Sequence, residues 1–65
     1  MKLMVFKNLI VNLEFAERVE KVDDPKFGIR FDMVSGESNV AVYDSESERD
    51  DKFGEVIKLM SERRL

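Results

Sequence analysis

The 65-residue chain contains no cysteine and no histidine. Without cysteine it can form no disulfide, no thiolate metal site and no thiol nucleophile. Without histidine it lacks the commonest metal ligand and the usual general base near neutral pH. Ser35, Ser38, Ser45, Ser47 and Ser61 therefore have no histidine to activate them, and no lysine-assisted serine motif stands in its place. Glycine is scarce, and Gly28, Gly36 and Gly54 are too dispersed to make a phosphate-cradling loop. No segment approaches the ~20 apolar residues of a membrane span. The opening Met1–Phe6 is too short for the apolar region of a signal peptide, and Asn8, Asn12 and Glu14 interrupt any extension. These absences argue for a non-enzymatic, cofactor-free protein of the cytoplasm without a membrane anchor.

What is present is charge of both signs and a modest apolar set. Eleven Lys and Arg against fourteen Asp and Glu leave a net charge of -3. A chain this short makes a single small domain, residues 1–65, and buries only ~60% of its unfolded surface. Self-association is the natural way left to enlarge its core.

The strongest local signal is the junction Tyr43–Phe53. Ser45 and Glu48 stand at capping-box spacing, so the serine hydroxyl accepts from the N–H three residues on while the glutamate returns to the cap's own N–H. Glu46, Glu48, Asp50 and Asp51 crowd the positive end of the helix dipole, with Lys58, Arg63 and Arg64 toward the negative end. Phe53, Val56, Ile57 and Met60 form one apolar stripe, and Glu48 with Lys52 makes an i, i+4 ion pair. The pattern predicts a helix from about Glu46 to Arg63.

Upstream the period changes to two. Phe27, Ile29, Phe31 and Met33 alternate with Gly28, Arg30, Asp32 and Val34, the mark of a half-buried strand. Val34-Ser35-Gly36-Glu37-Ser38 supplies a turn, and a second strand follows from about Asn39 to Tyr43. Asp23-Asp24-Pro25-Lys26 is a further turn signal, preceded by a candidate strand from Arg18 to Asp23. Phe15, Val19 and Val22 also fall at helical spacing, so a short helix after Asn12 competes with that strand; the strand is preferred because a meander follows. The expected fold class is α+β: an antiparallel meander of three to four strands with one C-terminal amphipathic helix packed on one face. Phe27 and Phe31 are expected to meet Phe53 and Ile57 beneath that helix.

The run VEKV–DDP–FGIRFDMVSGESNVAVYDSESERDDKFGEVIKLM resembles short bacterial and phage-encoded proteins of unknown function, in which a strand runs into an acidic cap that opens the terminal helix. Its ending is also similar to the last strands and helix of pleckstrin-homology-like domains. A full barrel of that kind needs more strands than this chain has, so the resemblance implies neither lipid binding nor any functional residue.

Two constellations imitate sites. Asp44, Glu46, Glu48, Asp50 and Glu55 mimic calcium-loop spacing, but Arg49 stands where the sharp-turn glycine belongs, and a helix cannot converge alternating positions on one ion. Lys2, Lys7, Arg18, Lys21, Lys26 and Arg30 gather in the sheet half, yet Glu17, Glu20 and Asp32 interrupt them and the total balance is negative. The N-terminal run is the sharper anomaly, because Leu3 to Phe6 is apolar on both parities and Leu9-Ile10-Val11 adds more. Such a surplus points to an interface, with Met1, Leu3, Met4, Val5, Phe6 and Ile10 as candidate members and core as the rival place for them. The expected function is a small self-associating protein-interaction module, a dimer for preference, working through this strand or a sheet edge. An accessory protein of a phage or mobile element that modulates a host protein fits the size; a nucleic-acid-associated factor using the basic sheet face is the alternative.

Overall fold

The computed structural model describes residues 2–24 and 26–62; Met1, Pro25, Arg63, Arg64 and Leu65 lie outside them. The chain runs β1 (Leu3–Val5), β2 (Ile10–Asn12), a 3-10 turn (Leu13–Phe15), β3 (Ala16–Val22), β4 (Phe27–Met33), β5 (Ser38–Tyr43) and α1 (Glu46–Glu62). The meander is present as an antiparallel sheet in the order β3-β4-β5, and the N-terminal segment adds a separate β1-β2 hairpin. The fold is α+β, with the helix and the hairpin over the same face of the sheet.

The alternation along β4 sets that face. Ile29 and Phe31 are buried, and β5 turns Ala41 and Tyr43 toward the same core while Val40 and Val42 stay outside. Gly36 supplies the turn between the strands with φ 97°, a left-handed conformation that glycine adopts without steric cost. Its N–H donates to the Met33 carbonyl at 2.9 Å, and the Met33 N–H donates to the Glu37 carbonyl at 2.8 Å.

Between Leu13 and Val22 both local tendencies are used in succession. The Asn12 side chain accepts from the Glu14 N–H at 3.1 Å and starts one turn of 3-10 helix. The chain then extends as β3, beginning two residues before the expected Arg18. The register shift between Ala16 and Arg18 is where that early start is absorbed.

The hairpin closes over the sheet. Phe6 donates its N–H to the Leu9 carbonyl at 2.8 Å, tying the turn, and Leu13 donates to the Lys2 carbonyl at 2.8 Å at the open end. Met4, Phe6, Val11 and Leu13 join Ile29, Phe31, Ala41, Tyr43 and Val56 in one core. The Phe6 and Phe31 rings meet with centroids 5.1 Å apart.

The helix begins as its cap predicts, with one difference. Glu48 donates its N–H to Ser45 Oγ at 3.2 Å, but its carboxylate accepts from the Ser45 hydroxyl at 3.4 Å rather than from the Ser45 N–H. Glu48 also pairs across elements with Lys7 at 3.5 Å, and Lys52 takes Glu55 at 3.6 Å, so the expected Glu48–Lys52 pair is replaced by tertiary and i, i+3 partners. The buried stripe is rotated from the expected one. Val56 is fully buried, Phe53, Leu59 and Met60 pack beside it, and Ile57 is 42% exposed. Two turns before Val56, Arg49 is buried on the same side of the helix.

Candidate interaction surface

Arg49 is 2% exposed, on the buried line of the helix that continues through Phe53 and Val56. Its Nη1 donates to the Val22 carbonyl at 2.7 Å and to Asp23 Oδ1 at 2.9 Å, and its Nε donates to Asp50 Oδ1 at 2.7 Å. Glu46 Oε2 stands 3.7 Å from Nη2, and the guanidinium lies 5.5 Å from the centre of the Phe27 ring. A buried cation is tolerated only when its donors are matched in this way. The planar fork lets one side chain tie the first helical turn to the β3–β4 connection. The Arg49 bond holds the Asp50 carboxyl below its ordinary value, with further help from Lys21. Asp32 is likewise lowered, first by the Ser38 hydroxyl and then by Arg30.

This clamp alters two expectations. The Phe27 ring lies beside the Arg49 guanidinium, whereas Phe53 packs against the core that holds Phe31, as expected, and also has the Lys21 ammonium 5.6 Å from its ring centre. The acidic run is also distributed rather than convergent. Asp44 and Glu48 face Lys7, Asp50 faces Arg49 and Lys21, and Glu46 faces Arg49. Among the described residues no group of three or more acidic side chains is placed to hold a metal ion. Three of the basic residues of the sheet half are drawn into ion pairs as well: Lys7 and Lys21 with the helix start, and Arg30 between Glu20 at 3.5 Å and Asp32 at 3.0 Å. Lys2 donates to the Leu59 carbonyl at 3.3 Å and so meets the negative end of the helix.

The charged residues around the helix start and along the Arg30 side of β4 thus have partners, and the hairpin leaves an apolar surface without one. β1 and β2 pair Leu3 with Asn12, Met4 with Val11 and Val5 with Ile10. Successive side chains of a strand point to opposite faces, so the hairpin divides the candidate residues in two. Met4 and Phe6 face the core, at 8% and 5% exposure, and are not available to a partner. Leu3, Val5 and Ile10 face outward, at 58%, 66% and 63%. Met1 lies outside the described residues. The two-parity apolar run is accounted for by one covered face and one bare one.

A second apolar area lies on the outer face of the three-stranded sheet. Gly28 forms its floor, because a Cβ there would stand 2.9 Å from the Ala41 carbonyl oxygen and 3.0 Å from Val40 Cγ1. Val22, Val40, Val42, Arg30, Lys26 and Asp24 line a shallow groove of about 530 Å³ above it.

Sequence reasoning left Arg49 without a role, although its spacing to Phe53, Val56 and Met60 was a signal: a charged residue on the line of an apolar stripe. It also left Asn8 without a partner. Asn8 donates from Nδ2 to the Val40 carbonyl at 3.0 Å and accepts at Oδ1 from the Val42 N–H at 3.1 Å, which fixes the hairpin turn against β5. Among the described residues no helix is long and apolar enough to cross a membrane. Comparison with protein-family models, with curated proteins and with solved structures finds no match to this chain.

Proposed function

We propose that this chain is a small protein-interaction module that pairs with a second copy of itself through the outer face of the β1-β2 hairpin. One observation carries the reading: Leu3, Val5 and Ile10 stand together on that face, each more than half exposed. Scattered apolar residues on a surface are ordinary, but adjacent large aliphatic groups on a hairpin of two three-residue strands are not. A second copy suits the face because none of the three carries charge, so a two-fold pairing sets no like charges against each other.

The magnitudes make this a concentration-dependent dimer. Fully burying one such side chain contributes roughly 1.5–3 kcal/mol, so six partly exposed ones supply about 10 kcal/mol in all. Association costs are of similar size, roughly 4–15 kcal/mol, so these side chains alone leave at most about 6 kcal/mol, a dissociation constant of tens of micromolar. A standard interface covers ~800 Å² per partner, close to a fifth of this protein's 4465 Å² surface. The hairpin face is then the centre of the contact, with neighbouring polar residues as its rim. The engagement of Lys7, Lys21 and Arg30 by carboxylates favours this reading over a nucleic-acid one.

Sedimentation equilibrium across the micromolar range tests the proposal. The unmodified chain should shift from monomer to dimer with concentration, and Val5→Glu should remain monomeric. A monomer at every concentration, or a Val5→Glu dimer of unchanged affinity, would reject it.

A further inference from the structure

The two edges of the β3-β4-β5 sheet are protected unequally. β3 carries Glu17, Arg18, Glu20 and Lys21, and its register breaks between Ala16 and Arg18. Charges and bulges are the usual devices that stop an edge strand from pairing with another chain. β5, Ser38–Tyr43, has no charged residue, and its register with β4 runs unbroken from Asp32↔Ser38 to Phe27↔Tyr43. Among the described residues, the side-chain hydrogen bonds onto its outer edge come from Asn8. The Asn8 amide has the donor and acceptor of a peptide group, and it takes the Val40 carbonyl and the Val42 N–H as one unit of a neighbouring strand would.

We infer that the β5 edge is a second strand-pairing site, fitted to the β5 of another copy running antiparallel, and that Asn8 is the latch that keeps it closed. The uncharged sequence of β5 makes it compatible with itself, because no like charges would face each other across the pair. Val40 and Val42, each 37% exposed, border the groove over Gly28. Edge-to-edge pairing would bring two such grooves side by side and cover valines that one copy leaves bare. The inference does not depend on the hairpin-face dimer. Where both contacts operate, each protomer has two separate two-fold contacts, so assembly continues as a chain instead of closing at two copies. The Asn8 latch holds assembly below that point.

The test removes the latch in two backgrounds. Asn8→Ala, and independently Asn8→Ser, are made in the unmodified chain and in Val5→Glu, and masses are followed by sedimentation velocity with circular dichroism as a check on folding. In Val5→Glu, loss of Asn8 should raise the self-association constant at least tenfold. In the unmodified chain it should produce species larger than a dimer. Adding Val40→Lys, which places a charge on the opened edge, should abolish both effects. Latch-free Val5→Glu protein with the mass of Val5→Glu alone would overturn the inference, as would association that survives Val40→Lys. If Val5→Glu by itself leaves the mass unchanged, the hairpin reading fails while the Asn8 comparison still decides this one.

Discussion

The Ser45–Asp50 junction and the β1-β2 hairpin treat their surplus groups in opposite ways. At the junction the surplus is charge, and it is matched internally. Arg49 is surrounded by Asp23, Glu46 and Asp50, Glu48 is shared by Ser45 and Lys7, and Lys21 reaches Asp50. At the hairpin the surplus is apolar area, and only half of it is matched, since Met4, Phe6 and Val11 are buried while Leu3, Val5 and Ile10 are not. A region whose groups are satisfied internally gives a partner little to improve. The bare face of the hairpin gains from any partner that covers it, and for that reason the proposed contact uses that face.

Substitutions can break this contrast or sharpen it. The largest effect belongs to a residue of the common core. Phe31 is fully buried and touches Phe6 of the hairpin turn. Phe31→Ala should cost about 3–5 kcal/mol, comparable with the whole stability expected of so small a domain, and thermal melting followed by circular dichroism should show no folded baseline. Arg49→Ala should come next. It strands Asp23 and Asp50 and unlocks the helix start, and the melting temperature should fall by on the order of 10 °C. Arg49→Lys should recover only part of that, because an ammonium lacks the fork that reaches Val22, Asp23 and Asp50 together.

Acid acts on the same region. Asp50 has a folded-state value below its ordinary 3.8, so its contribution is complete above that value and is lost as pH falls through the lower, folded one. Asp32 behaves in the same sense. Urea unfolding midpoints should therefore decline as pH drops below ~4, and Asp50→Asn should flatten that decline. Ser45→Ala removes the cap bond to the Glu48 N–H and should cost about 1 kcal/mol, seen as a small drop in the urea midpoint. Val5→Glu should have the smallest effect on folding, within ~0.5 kcal/mol, while having the largest on association. That dissociation of the two readouts separates an interface residue from a core one.

Much of this contrast was readable in the sequence, unevenly. The meander followed from alternation at Phe27–Met33 and from Gly36, and the helix start followed from Ser45 and Glu48, because local hydrogen bonds decide both. Arg49 was not readable by composition alone. A helical arginine is ordinarily solvated, and only the placement of the β3–β4 turn shows what fills its donors. The split of the N-terminal run into core and outer face needed the pairing of Val5 with Ile10, a contact between segments joined by an unremarkable Lys7-Asn8-Leu9 turn.

The central claim is that the outer hairpin face, and not the junction, meets the partner. Methyl NMR on dilution from the high to the low micromolar range tests it most directly. The account predicts concentration-dependent shifts at Leu3, Val5 and Ile10, with Val56 methyls and the amides around Arg49 unmoved. Shifts that ignore concentration, or that are largest around Arg49, would contradict it.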